Sequence, residues 1–156
     1  GLVRSRAMSD VARTVRVPLN VAFGQQTATA QAVLNHSGAG VHHIAFSCEN
    51  IFVAVERLRA AGAPLLPIPG NYYDDLRARS ELSEEFIDRL QAGNILYDSN
   101  PDGEFFHVYT EMFQNNFFME YVQRTWDYSD YGAVNAPVRM AAQSRRLRET
   151  TEAQIL

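Results

Sequence analysis

The order of patterned stretches in this chain predicts an α+β fold, and three observations carry that reading. Residues 41–48, 104–110 and 117–124 alternate, or run in aromatic and β-branched side chains, as strands do. Helical stripes at 51–61, 72–79 and 83–92 fall between the first strand and the later ones. Turn signals in Gly, Pro, Asn and Asp separate the stretches, and no second copy of the unit is visible.

Taken in order, residues 1–13 carry Arg4, Arg6 and Arg13 among small side chains without a period, so a loosely held leader is expected. Residues 14–21 alternate as a half-buried strand, and Pro18 predicts an edge position or an early end, because it cannot donate to a ladder. Residues 25–34, rich in Ala and Gln, predict a short helix that the Gly turn at 36–40 breaks. The strand at 41–48 has Val41, His43, Ala45 and Ser47 on one face and His42, Ile44 and Phe46 on the other. Asn50 is the expected cap of the next helix, Ile51, Val55 and Leu58 form its apolar stripe, and Gly62 with Pro64 ends it. Residues 64–68 read as short and extended. Ser83 caps the third helix, Glu84 and Glu85 suit the positive end of its dipole, and Gly93 is expected to stop it. A short strand at 94–97 and a turn at 99–103 lead into the strand at 104–110, where Phe105, His107 and Tyr109 oppose Phe106, Val108 and Thr110. Beyond a loop at 114–116 comes the strand at 117–124. A helix is expected over 134–143, opening near Pro137, with disorder or a frayed helix over 144–156.

The 156 residues are enough for one domain with a core, and 46% apolar with 21% charged content is ordinary for a globular protein. A formal charge of −4 and a pI near 5.5 argue against nucleic acid as partner. No apolar run approaches the ~20 residues of a membrane helix. Cys48 is the single cysteine, so there is no internal disulfide and a reducing cytoplasm is expected. The first residue is Gly1 rather than methionine, which admits a piece of a longer protein.

The chemistry starts at Glu120. Alternation puts Phe118, Glu120 and Val122 on one face of the last strand, and a carboxylate between two such neighbours loses its water. Several kcal/mol then press for neutralisation, an ionic partner or a cation. One partner is Arg124, on the same face. Another is His43, whose strand face otherwise holds small residues and leaves room for a ligand. An imidazole and a carboxylate on adjacent strands, with open positions between them, form the core of a 2-His-1-carboxylate iron(II) site. A lone strand histidine is more often a hydrogen-bonded core residue, so these two residues do not decide the matter alone.

Two motifs weigh on the choice. Gly38-Ala39-Gly40-Val41-His42-His43-Ile44-Ala45-Phe46 resembles the G-A-G-V-Q-H-I-A segment of 4-hydroxyphenylpyruvate dioxygenases, and Phe118-Met119-Glu120-Tyr121-Val122-Gln123-Arg124 resembles their F-L-E-V-I-Q-R segment. Tyr72-Tyr73, Leu96-Tyr97-Asp98 and Phe106-His107-Val108-Tyr109-Thr110 follow in the family's order. The resemblance spans about residues 15–135. It implies the vicinal-oxygen-chelate superfamily, also called the glyoxalase fold, in which βαβββ modules pair into a half-open barrel around a metal. It divides the chain into a leader and the end of a preceding module (1–40), a βαβββ metal-site module (41–124) and a C-terminal segment (125–156).

The resemblance also implies the site. His43 and Glu120 map onto metal ligands, and the metal is a divalent ion, iron(II) first, with magnesium, manganese or cobalt as alternatives. The family's third ligand, a histidine, lies in the preceding module and has no counterpart here, since His36 sits in the Gly turn. That ligand would come from a missing upstream module or a second subunit. His107 and Gln123 are expected near the substrate or behind the ligands, Tyr72 and Tyr73 are read as core aromatics first with a place in the pocket wall as the alternative, and His42, on the opposite face, is expected to be structural. The substrate would be a small keto or enediol compound that chelates the metal. The chain departs from the family where Tyr131-Gly132-Ala133-Val134-Asn135-Ala136-Pro137-Val138 replaces G-F-G-x-G-N-F, and where His42 and His107 stand in place of Gln.

A closer resemblance lies in Asn71-Tyr72-Tyr73-Asp74-Asp75-Leu76, Gly103-Glu104-Phe105-Phe106-His107 and Asn135-Ala136-Pro137-Val138-Arg139-Met140-Ala141-Ala142-Gln143. These are similar to segments of bacterial 3-dehydroshikimate dehydratases, in which a TIM barrel that forms protocatechuate precedes a dioxygenase-like domain. The chain would then be the last module of such a protein, without the barrel. A fragment of a hydroxyphenylpyruvate dioxygenase, or a structural module that pairs with a second copy, is the alternative expectation.

Overall fold

The structure, a computed structural model, describes residues 3–24, 27–114 and 116–153. It divides into two compact units, Gly1–His42 and His43–Leu156.

The first unit is a ribbon of two antiparallel strands, β1 (Val3–Ser9) and β2 (Arg16–Ala22), followed by helix α1 (Ala28–Asn35). The expected leader is therefore a strand from Val3 onward. Its weak pattern concealed it, because its partner β2 supplies the backbone hydrogen bonds and its side chains from Arg4 on stay exposed. The connection turns on Asp10, whose carboxylate accepts from the Thr14 hydroxyl and the Val15 amide. Both strands of a two-stranded ribbon are edges, so Pro18 is tolerated and β2 runs on to Ala22. The Thr27 hydroxyl caps α1 by accepting from the Ala30 amide. Gln25 and Gln26 of the expected helix lie outside the described residues, as do Asn115 and residues 154–156.

The second unit holds the core. Its four-stranded sheet has the order β3-β6-β5-β4, formed by β3 (His43–Ser47), β4 (Leu96–Asn100), β5 (Gly103–Tyr109) and β6 (Phe118–Arg124). β3 runs parallel to β6, and the other pairs are antiparallel. A parallel pair requires a crossover. It is built from α2 (Ile51–Ala60), α3 (Gly70–Arg79) and α4 (Glu84–Gly93), and α5 (Ala136–Ala153) follows β6 through a short 3₁₀ turn at Ala133–Asn135.

Local chemistry fixes most of these boundaries. The Asn50 side chain accepts from the amides of Phe52 and Val53, and Ser83 accepts from the amide of Phe86. The carboxamide oxygen of Asn100 accepts from the amides of Asp102 and Gly103, closing the β4–β5 hairpin. Gly93 does not end α4. It is the last helical residue, and Asn94 stops the helix in the left-handed conformation at φ 55°. The extended stretch at 64–68 makes one bridge, Leu65 with Thr110, and the Leu66 amide donates to the Tyr109 carbonyl. Pro64 and Pro67 remove two donors there, so it never becomes a full strand. The segment after 144, expected to be disordered or frayed, continues α5 through Ala153.

Strand register sorts the sheet's two faces. Gln123, Tyr121, Phe106, Val108 and Tyr97 share one face. There Phe86 of α4 meets the Phe106 ring edge-on, and Ile51, Val55, Tyr73, Leu76, Ile87 and Leu90 fill the same core. The other face carries His43 and Ala45, Phe118, Glu120 and Val122, then Phe105, His107 and Tyr109.

Candidate metal centre

The register that pairs Ala45 with Glu120 and Glu120 with Tyr109 brings the two expected ligands together. His43 stands two residues before Ala45, on the same face. Its imidazole stacks on Phe118, with centroids 4.8 Å apart and planes at 4°, and this packing aims the ring along β6 toward Glu120. His43 Nε2 lies 3.5 Å from Glu120 Oε2, and the His43 side chain keeps 27% of its exposure. Two donor atoms at that separation fit adjacent positions around one small cation, where ligands at about 2.1 Å stand roughly 3 Å or slightly more apart. Among the described residues no group of three His, Cys, Asp or Glu side chains could hold a metal ion.

The second oxygen of the carboxylate is engaged from behind. His107 Nδ1 lies 2.9 Å from Glu120 Oε1, and the Tyr109 hydroxyl lies 2.9 Å from the same nitrogen. His107 is fully buried and Glu120 is 7% exposed. On its far side, His107 Nε2 faces the Asn135 amide nitrogen at 3.0 Å, and that same nitrogen donates to the Tyr97 carbonyl. Burial is the largest influence on the Glu120 carboxyl and pushes its pKa up. Hydrogen bonds from His107 and His43, with the charges of both imidazoles, together outweigh it and bring the pKa down to about 2. Burial, with the charge of Glu120 next, raises the Tyr109 hydroxyl well above the ordinary phenol range.

The competing pairing does not form. The Arg124 guanidinium lies over the Phe105 ring, 4.6 Å from its centroid, while the two histidines meet the acid. Three other expected site residues take structural positions. Gln123, one residue off the Glu120 face, turns toward α2 and accepts from the Ile51 amide at 2.8 Å. The Tyr73 hydroxyl donates to the Ile95 carbonyl in the core. The Tyr72 hydroxyl donates to the Tyr97 carbonyl and accepts from the Tyr97 amide, so it reaches the site only through the carbonyl it shares with Asn135. His36 bonds back to the Ala32 carbonyl of its own helix.

Sequence reasoning missed Asn135, Tyr109 and Arg139. Tyr109 was findable, because it shares a strand face with His107. Asn135 follows a turn and Arg139 opens a helix without a strong apolar stripe, so no period pointed to either. Arg139 lies over the rings of Phe118 and Tyr109, at 5.2 and 5.6 Å, and donates to Gln143.

The model of the Glyoxalase/Bleomycin resistance protein/Dioxygenase superfamily matches residues 8–104. A 3-dehydroshikimate dehydratase of Pseudomonas putida is 50% identical over 146 residues, covering 93% of this chain and 23% of that protein. A 4-hydroxyphenylpyruvate dioxygenase of Caenorhabditis briggsae is 34% identical over 143 residues, covering 85% of this chain and 36% of its own length. A solved xylose isomerase-like TIM barrel/4-hydroxyphenylpyruvate dioxygenase fusion protein superposes with a TM-score of 0.80 at 50% identity, over 94% of this chain and 24% of the fusion protein. The chain thus spans about a quarter of the length of its dehydratase relative.

Proposed function

The chain belongs to the Glyoxalase/Bleomycin resistance protein/Dioxygenase superfamily, and we propose that this module holds a divalent cation between His43 and Glu120. The observation that carries the reading is the 3.5 Å approach of His43 Nε2 to Glu120 Oε2 on one sheet face, with the acid otherwise buried. Iron(II) suits the imidazole–carboxylate pair best, with manganese, cobalt or magnesium as alternatives. A third ligand would come from outside the described residues, from an upstream module or a second subunit. When bound, the ion would polarise or activate a small keto or enediol compound chelated at its open positions.

The residues' own work is positioning. Phe118 holds the His43 ring in plane, and His107, with the Tyr109 hydroxyl against its Nδ1, holds the largely buried carboxylate from behind. Within the wider protein we read this chain as the dioxygenase-like C-terminal module of a relative of the 3-dehydroshikimate dehydratases, with the dehydration carried out elsewhere in that protein and the whole in a reducing compartment. The 50% identity to the Pseudomonas protein supports this over the more distant dioxygenases. His107 and Ala136, at positions that differ from the dioxygenase pattern, support it too.

Metal content of the purified protein, together with calorimetric titration of the metal-free form with Mn(II), tests the proposal. His43→Ala and Glu120→Ala should each weaken binding by about tenfold or more. Equal uptake by the wild type and both variants would refute it. Oxygen consumption with hydroxyphenylpyruvate would favour the dioxygenase reading instead.

A further inference from the structure

The network behind Glu120 has a direction, and Asn135 sets it. The Asn135 side-chain nitrogen stands 3.0 Å from two atoms at once, the Tyr97 carbonyl oxygen and His107 Nε2. A carbonyl oxygen only accepts. The amide must therefore present its NH₂ group to Tyr97, since the flipped amide would set oxygen against oxygen. The Tyr97 carbonyl is held in turn by the Tyr72 hydroxyl, which also accepts from the Tyr97 amide. The price is visible: Asn135 Oδ1 is buried without a partner. With NH₂ facing it, His107 Nε2 must be the bare, accepting nitrogen. A neutral imidazole carries a single N–H, so that proton sits on Nδ1, between Glu120 Oε1 and the Tyr109 hydroxyl oxygen, each 2.9 Å away and each able to accept it.

We infer that Asn135 is a positioning residue which fixes the tautomer of His107, so that His107 donates to Glu120 and leaves the second carboxylate oxygen directed at His43. The opposite tautomer would set the Nδ1 lone pair against the carboxylate and release it to rotate. His107 is fully buried and Asn135 is 1% exposed, so water does not substitute for either contact. Gly132, at φ 59°, permits the close approach, because a Cβ there would fall 2.6 Å from the Phe105 ring and 3.1 Å from His107 Cε1. The consequence for a cation rests on the function proposed above, whereas the location of the proton does not.

Two-bond ¹H–¹⁵N correlation on histidine-labelled, metal-free protein reads the proton directly. His107 should show Nδ1 as protonated and Nε2 as bare. Asn135→Asp, which has the same shape but only accepts, should bring a proton onto Nε2 and weaken Mn(II) binding by about tenfold. His107→Gln supplies a donor to Glu120 without needing a tautomer, so adding Asn135→Asp to it should change Mn(II) affinity by less than about twofold. A wild-type His107 protonated on Nε2, or an Asn135→Asp effect of equal size in both backgrounds, overturns the inference, and the wild-type spectrum decides even if a variant does not fold. Failure of wild-type protein to bind Mn(II) counts against the proposed function and leaves the tautomer result standing.

Discussion

A carboxylate that loses its water must recover the cost from neighbours, and Glu120 recovers it from two imidazoles rather than a guanidinium. The balance has a pH signature. Its folded pKa of about 2 lies below the ordinary value of 4.5, so the unfolded chain binds the proton more readily. Stability from this group is fully present above about pH 4.5 and is lost as pH falls through 2. The shift corresponds to roughly 3 kcal/mol. Glu120→Gln removes the titration, so the stability difference between variant and wild type, followed by urea unfolding of metal-free protein, should shrink as pH drops across that window. A difference that stays constant would show that the acid is not held as described. Gln123 gives the contrasting case at the same scale. Its oxygen accepts the Ile51 amide proton at the start of α2, so Gln123→Ala should cost about 1–3 kcal/mol in unfolding experiments. Mn(II) affinity should stay unchanged, because the side chain faces away from Glu120. The faces of His43 and Glu120 were legible in strand alternation, whereas their reading as ligands came from likeness of motif. Gln123 came from the same likeness of motif, and alternation sets it apart from Glu120, because one step along a strand reverses the face.

At the scale of elements, the sequence announces those whose ends carry side-chain caps. The helix starts at Asn50 and Ser83 and the β4–β5 turn at Asn100 were readable because one polar side chain answers specific backbone amides. Elements that depend on distant partners were not. β1 exists through its pairing with β2, and α5 outlasts its expected end although its residues 144–149 are exposed and, Leu147 apart, polar. Exposed ion pairs such as Arg145 with Glu149 and Arg146 with Glu111 lie along that extension. The turn before α5 matters most for the site, since it delivers Asn135 to His107. Gly132→Ala would adopt the left-handed conformation at a cost of about 1–2 kcal/mol and would also press a methyl group into Phe105. Thermal unfolding should show a loss of at least that size, and the His107 ring signals should shift as Asn135 is displaced. A variant with wild-type stability and an unmoved His107 would mean that the turn has room the structure does not show.

For the whole molecule, burial is distributed unevenly between the two units. Every buried apolar side chain among the described residues lies at Ile51 or beyond. In the first unit Val17, Leu19 and Val21, which share one face of β2, are all about half exposed, and Phe23 is more so. A two-stranded ribbon is marginal in water by itself, and its apolar residues contribute stability only when something covers them. Relatives about four times as long as this chain supply candidates for that cover. Residues 43–156, by contrast, own a closed set of packing partners, from Ile51 and Val55 through Phe118 to Ala142. Amide hydrogen exchange on the isolated chain should therefore be graded, with amides of β5 and β6 protected to near the global unfolding free energy. Amides of β1 and β2 should exchange through local opening with little protection. Limited proteolysis should cut first between residues 3 and 42 and leave a fragment beginning near His43 that keeps the cooperative unfolding of the whole chain. Uniform protection across both units, or a fragment that unfolds without cooperativity, would mean that the ribbon shares the core's stability and that the site rests on both units rather than on the second alone.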